Sequence, residues 1–208
     1  MILHGYFRST ASWRVRIALG LKGISVEQRY YHLRKGEQRS PGYLEVNPQG
    51  LVPSLVLDDG RVLTQSLAIV EYLDETVPEP PLLPKDPFER AQVRSLAQII
   101  ACDVHPVQNL KILDRVRELA DGDAAQQWAT TTIREGLDAF EKRIAAWSGP
   151  FCCGDQVTLA DLVLVPQLGN ARRFGVEIEW PRIREVAEAC SKIEAFRLAA
   201  PDQQEDRE

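Results

Sequence analysis

The sequence predicts two domains. An α/β domain with a small mixed sheet occupies residues 1–76, and an all-helical domain occupies 88–208, with a linker at 77–87 between them. Three observations carry this organisation. Short apolar runs suited to strands alternate with helical patterns before residue 76. Residues 76–88, Thr-Val-Pro-Glu-Pro-Pro-Leu-Leu-Pro-Lys-Asp-Pro-Phe, hold five prolines and read as a stiff, extended connector. Beyond them, no segment alternates as a strand does, and apolar residues recur with a helical period.

Met1 to Phe7 reads as a buried first strand. A helix follows over 11–22, because Trp13, Ile17 and Leu21 repeat at i, i+4 and i+8, and Gly23 stands where a helix stops. Residues 26–32, Val-Glu-Gln-Arg-Tyr-Tyr-His, are rich in β-favouring types and form the second strand. Residues 33–50 are polar, with glycine at 36, 42 and 50 and proline at 41 and 48, and predict a loop with one short helix at 42–46. Residues 51–57 form a strand with Pro53 near its start, since proline donates nothing to a ladder. Asp58-Asp59-Gly60 is a hairpin turn and 61–63 the returning strand. A helix covers 67–73. The order β-α-β-loop-β-β-α matches a thioredoxin-like fold.

The helical domain reads as four patterns: 88–119 interrupted at Pro106, then 124–147, 158–174 and 181–199. Thr158-Leu159-Ala160-Asp161 has the form of a capping box, so Thr158 and Asp161 read as structural. The polar tail from Pro201 is expected to fray.

Composition narrows the function. The chain has 208 residues, 44% hydrophobic and 26% charged, with a net charge of −5. An acidic balance argues against a nucleic-acid or anionic-membrane surface. No apolar run approaches the ~20 residues needed to cross a bilayer. No basic-then-apolar leader opens the sequence. Cys102, Cys152, Cys153 and Cys190 include no C-x-x-C pair, which suits a reducing cytoplasm. Adjacent Cys152 and Cys153 read as small buried apolar residues. His4, His32 and His105 lack the spacing of metal ligands, so no metal is expected.

The chemistry concentrates at residues 7–19, Phe-Arg-Ser-Thr-Ala-Ser-Trp-Arg-Val-Arg-Ile-Ala-Leu. Ser9, Thr10 and Ser12 stand at the junction of a strand and a helix N-terminus. There, unpaired amides and the helix dipole favour an anion. A thiolate held at this turn would be stabilised, and Arg8 and Arg14 would attract an acidic substrate. The plain alternative is an ordinary N-cap. A thiol–disulfide oxidoreductase is excluded, because Ser9-Thr10-Ala11-Ser12 stands where C-x-x-C would be.

The segment Arg8 to Leu19 resembles the signature of zeta-class glutathione transferases. So do 21–24 (Leu-Lys-Gly-Ile), 47–53 (Asn-Pro-Gln-Gly-Leu-Val-Pro), 65–69 (Gln-Ser-Leu-Ala-Ile), 103–110 (Asp-Val-His-Pro-Val-Gln-Asn-Leu), 161–167 and 170–174 (Asn-Ala-Arg-Arg-Phe). The resemblance spans roughly residues 2–198. It implies glutathione as a cofactor that is regenerated, with Ser9 or Thr10 at its sulfur. It implies a cis Pro53, with Val52 offering backbone groups to the tripeptide, and Gln65 and Ser66 on the γ-glutamyl carboxylate. Gln38, His105 and Asn109 match further positions lining the glutathione site, and the last two lie four apart, as on one helical face.

The implied reaction is cis–trans isomerisation of a small diacid, maleylacetoacetate, in tyrosine and phenylalanine breakdown. Arg8 and Arg173 match the family's carboxylate clamp, joined by Arg14 and Lys111. Lys111 departs from bacterial relatives with arginine there, and Arg172 reads as a solvated charge. Ala11 departs from animal relatives, which carry cysteine at that position. Maleylpyruvate isomerisation and turnover of α-halo acids remain alternatives within the resemblance, and a noncatalytic binding module is the alternative outside it. The resemblance also implies a homodimer.

Overall fold

A computed structural model describes all 208 residues. The chain forms two compact units, one of Met1–Pro81 with Ser191–Glu208 and the other of Leu82–Cys190. Residues 191–208, assigned from the sequence to the helical domain, thus pack with the sheet.

In the first unit, β1 (Ile2–Gly5), α1 (Thr10–Leu21), β2 (Glu27–Tyr30), α2 (Pro41–Val46), β3 (Ser54–Val56), β4 (Val62–Thr64) and α3 (Ser66–Thr76) follow in chain order. The sheet order is β2-β1-β3-β4, with β1 parallel to β2 and the other two pairs antiparallel. This is the thioredoxin-like arrangement. Leu3, Val15, Ile17, Leu55, Ile69, Val70 and Leu73 are buried between sheet and helices. Between β2 and α2, where the sequence predicts a loop, two 3-10 turns form at Leu33–Lys35 and Glu37–Arg39. Pro41 starts α2, because a first-turn position needs no amide donor.

Register fixes where the loops emerge. His4 pairs with Ser54, Ser54 with Thr64, and Gly5 with Tyr30. The C-terminal ends of β1, β2 and β4 and the N-terminal end of β3 therefore share one end of the sheet. Arg8–Ser9, His32–Gln38, Val52–Pro53 and Gln65–Ser66 all follow or precede a strand at that end.

The second unit is helical. It comprises α4 (Pro87–Gln98), α5 (Leu110–Leu119), α6 (Gly122–Ile144), α7 (Leu159–Arg173) and most of α8 (Pro181–Ser191). The first predicted helix divides into two. α4 widens into a π-helical turn at Ile99–Val104, where the His105 amide donates to Ile100 O at 2.8 Å. Pro106 has no amide with which to continue the ladder. α6 buries Ala125, Ala129, Ile133, Leu137, Phe140 and Ile144 on one stripe. At Gly136 of the same helix a Cβ would lie 2.0 Å from a methyl of Val104, so glycine lets the π turn lie against α6. Thr158 and Asp161 form the capping box of α7. Asp161, fully buried, accepts from the Cys152 amide at 2.8 Å, the Thr158 amide at 2.8 Å and the Thr158 hydroxyl at 3.0 Å.

Two corrections concern the C-terminal stretch. The helix predicted over 181–199 breaks after Ser191, and a separate α9 (Glu194–Leu198) starts from an extended Ile193. α9 lies on α1, where a Cβ on Gly20 would sit 3.1 Å from that of Ala195. The tail does not fray. It forms a 3-10 turn at Pro201–Gln203 and buries Gln204 in the sheet unit, following the buried Phe196 and Ala199 of the α9 region. Its polar groups satisfy main-chain partners, which polar composition alone does not reveal.

Candidate active site

The turn between β1 and α1 carries the hydroxyls and the arginine that the sequence singles out. Ser9 has extended backbone angles and caps α1, its hydroxyl oxygen accepting from the Ser12 amide at 3.2 Å. That oxygen keeps its own proton to donate to an anion. Ser9 is half-buried, whereas Thr10, the first helical residue, is 6% exposed. The two hydroxyls that sequence left equivalent are therefore unlike in access.

Arg8 is half-exposed. Its guanidinium stacks 4.8 Å from the Phe7 ring and donates to Glu208 at 3.2 Å. Arg14 points elsewhere. It is 2% exposed, and its Nη1 donates to Ser66 Oγ at 3.2 Å. Burial separates Arg14 from a solvent-borne substrate and makes it a support for Ser66.

Ser66 is the first residue of α3, so a dipole's positive end faces any anion there. Gln65, its N-cap, has φ +68°, the one non-glycine residue of the chain with positive φ. Its amide donates to Gln49 Oε1 at 3.0 Å. Sequence reading had no signal for this strained backbone, which costs of order 1–3 kcal/mol and clusters at ligand sites.

The Val52–Pro53 bond is cis. Pro53 is buried and Val52 half-buried, and neither the amide nor the carbonyl of Val52 has a hydrogen-bond partner within the chain. Gln38 lies in the second 3-10 turn, donates to Leu33 O at 3.3 Å, and leaves its buried carbonyl oxygen without a partner.

Of the residues expected in the helical unit, His105 ends the π turn and Asn109 caps α5, accepting from the Leu110 amide at 2.7 Å. Residues 105–109 form a turn, so the two share no helical face as the sequence spacing implied. Lys111 is exposed on α5. Arg173 ends α7, donating to Asn170 with its guanidinium 5.6 Å from the Phe174 ring. Burial pushes the Cys153 thiol up to about 12 and raises Cys152 and Cys190 as well, so none of these is a ready nucleophile.

Comparison with known proteins decides the family. A profile of the "Glutathione S-transferase, N-terminal domain" matches residues 8–76, and one of the "Glutathione S-transferase, C-terminal domain" matches 110–191. The maleylacetoacetate isomerase of Pseudomonas aeruginosa is 46% identical over 99% of this chain and 98% of its own. A bacterial maleylpyruvate isomerase described as a zeta-class glutathione transferase superposes with a TM-score of 0.96 at 45% identity, over the full length of both chains. This chain belongs to the zeta-class glutathione S-transferases. A third relative, the maleylacetoacetate isomerase of Methylobacterium extorquens AM1 solved with malonate and glutathione, superposes on this transferase with a TM-score of 0.96 at 38% identity, over the full length of both.

Sequence reading of the transferase missed the residues that hold the site loops. Asn47, 2% exposed, donates to Leu51 O at 2.7 Å and accepts from the Gln49 amide at 3.1 Å. The Tyr43 hydroxyl bonds Leu51 O and lies 3.0 Å from Ser54 Oγ. Together they brace the turn bearing Val52 and Pro53. Asn47 opens the segment 47–53, and the burial of its side-chain amide is the signal that structure adds.

Proposed function

We propose that this transferase is a glutathione-dependent cis–trans isomerase acting on maleylacetoacetate. The observation that carries the reading is the half-buried Ser9 hydroxyl at the N-terminus of α1, next in sequence to the half-exposed Arg8. The relatives named maleylacetoacetate isomerase support the choice of substrate.

The residues present fit glutathione. The unpaired amide and carbonyl of Val52 suit an extended peptide backbone. Ser66, backed by the Arg14 charge at the start of α3, suits a carboxylate. Gln65 and Gln38 add amide groups at the same end of the sheet. When bound, glutathione supplies a thiolate that adds to the cis double bond and leaves once the bond has rotated.

Ser9 donates a hydrogen bond to the sulfur and, with the α1 dipole, favours its ionised form. A free thiol has a pKa of about 8.5, and charge-assisted bonds and dipole effects lower it by roughly 1–2 units. Thr10 is a lesser contributor because it is buried. Arg8 binds a substrate carboxylate through its planar fork and orients the double bond. Arg173 and Lys111 are the cations of the helical unit offered to the same class of ligand, and His105 and Asn109 its polar candidates toward glutathione. Arg14 acts through Ser66.

The second reading is maleylpyruvate as substrate, the alternative raised by the relative of that name at a TM-score of 0.96. Side-by-side assays of both diacids with catalytic glutathione decide between them by the ratio of kcat/KM. A ratio favouring maleylpyruvate replaces the proposed substrate. No helix is long and apolar enough to cross a membrane. A cytoplasmic homodimer working in tyrosine breakdown is the setting this reading carries, with sedimentation as the test of its assembly.

A further inference from the structure

The turn that carries Ser9 is held from outside by the segment 199–208. Arg16 of α1, 8% exposed, donates from Nη2 to Phe7 O at 3.0 Å, from Nη1 to Tyr6 O at 3.4 Å and from Nε to Ala199 O at 3.0 Å. One guanidinium thus locks the end of β1, α1 and the returning segment together. Asp206 completes the arrangement, its Oδ2 accepting from the Phe7 amide at 2.9 Å. Both main-chain polar groups of Phe7 are therefore bound by side chains outside the turn. Gln204, 5% exposed, stiffens the segment by donating to Leu198 O at 2.8 Å and Ala200 O at 2.9 Å. Two residues beyond Asp206, Glu208 meets both Arg8 and His32.

Phe7 is two residues before Ser9, and the Ser9 amide itself bonds Tyr6 O at 3.0 Å. A shift of the Phe7 peptide moves the Ser9 hydroxyl relative to the N-terminus of α1. Hydroxyl and dipole act together on an anion only when both are aimed at it. We propose that Asp206 is a positioning residue for thiol activation, its bond to the Phe7 amide holding the turn so that Ser9 is aimed at the cofactor sulfur. This role rests on the assignment of Ser9 made above.

Position and charge predict opposite signs. If Asp206 acted by charge, removing a nearby carboxylate would favour a thiolate and lower the thiol pKa. If it acts by position, losing the bond raises that pKa. Asp206→Asn removes the charge and keeps an acceptor for the Phe7 amide. Asp206→Ala removes both. Asp206→Glu keeps both but carries the acceptor one methylene further.

The test titrates the thiolate ultraviolet absorbance of glutathione bound to the full-length protein, alongside kcat, KM for the diacid and melting temperature. The expected result is a depressed thiol pKa in wild type and in Asp206→Asn. Asp206→Ala should raise it by about one unit, equivalent to about a tenfold loss of thiolate near neutral pH, with kcat falling and KM for the diacid little changed. Asp206→Glu should fall between, and it reports on the contact should the alanine variant not fold. A thiol pKa in Asp206→Ala equal to wild type, or equal shifts in Ala and Asn variants, overturns the positioning role. A wild-type thiol that titrates as free glutathione does, or one unmoved by Ser9→Ala, overturns the Ser9 assignment and this role with it.

Discussion

Arg14 Nη1 donates to Ser66 Oγ at 3.2 Å across 52 residues of sequence, joining the first helix to the N-terminus of α3. The bond is buried, and it brings a fixed positive charge behind the serine proposed to receive a carboxylate. Replacing Arg14 with methionine removes both. A hydrogen bond to a charged group is worth ~1.5–3 kcal/mol, so glutathione affinity should fall roughly 10- to 100-fold. Calorimetric titration checks this, and kcat at saturating glutathione should change much less.

Gln65 tests strain against binding. At φ +68° glycine is free of the side-chain clash that glutamine bears. Gln65→Gly should stabilise the protein by about 1 kcal/mol, seen as a higher melting temperature, while KM for glutathione rises because the amide is gone. A variant that loses stability would show that the Gln49 contact outweighs the strain.

Asp161 ties the start of α7 to Thr158 and Cys152 within the helical unit. Asp161→Ala leaves two buried amides and a hydroxyl without their acceptor, at a cost of about 3 kcal/mol. Denaturant unfolding should show the loss. Activity per folded molecule should persist, since the residue touches no site group.

His4 sets a pH dependence. It is 2% exposed on β1, with Nδ1 2.9 Å from the Tyr31 hydroxyl. Burial first, then the Arg29 charge, holds its pKa below the ordinary 6.5. As pH drops below about 6.5 the unfolded histidine takes up a proton that the folded one refuses, so stability rises with pH across that window and falls as acid is added. Unfolding midpoints measured between pH 7 and 5 should decline in wild type and flatten in His4→Gln.

The fold was legible because its elements differ in period and are punctuated by proline and glycine. The βαβ start and the Asp58-Asp59-Gly60 hairpin stand where the sequence placed them. The segment after Ser191 was not legible: Asp206 and Glu208 read as solvated but bond partners some 200 residues away, and the polar Gln204 is buried on carbonyls just before it. Within the candidate site, residue types at the β1–α1 turn were enough to place hydroxyls at the start of α1, because a hydroxyl at a helix N-terminus is a local feature. What the chain could not disclose was direction: that Arg14 turns inward to Ser66, that Thr10 is buried while Ser9 is not, and that Gln65 adopts positive φ. Each depends on packing against segments remote in sequence.

The most direct measurement is isomerisation of maleylacetoacetate at substoichiometric glutathione, comparing wild type with Ser9→Ala. Many turnovers per glutathione with no net loss of thiol, and a rate reduced roughly 10- to 100-fold by the substitution, are the predicted result for one charge-assisted hydrogen bond. Turnover without glutathione, stoichiometric consumption of it, or an unchanged rate in Ser9→Ala would contradict the account.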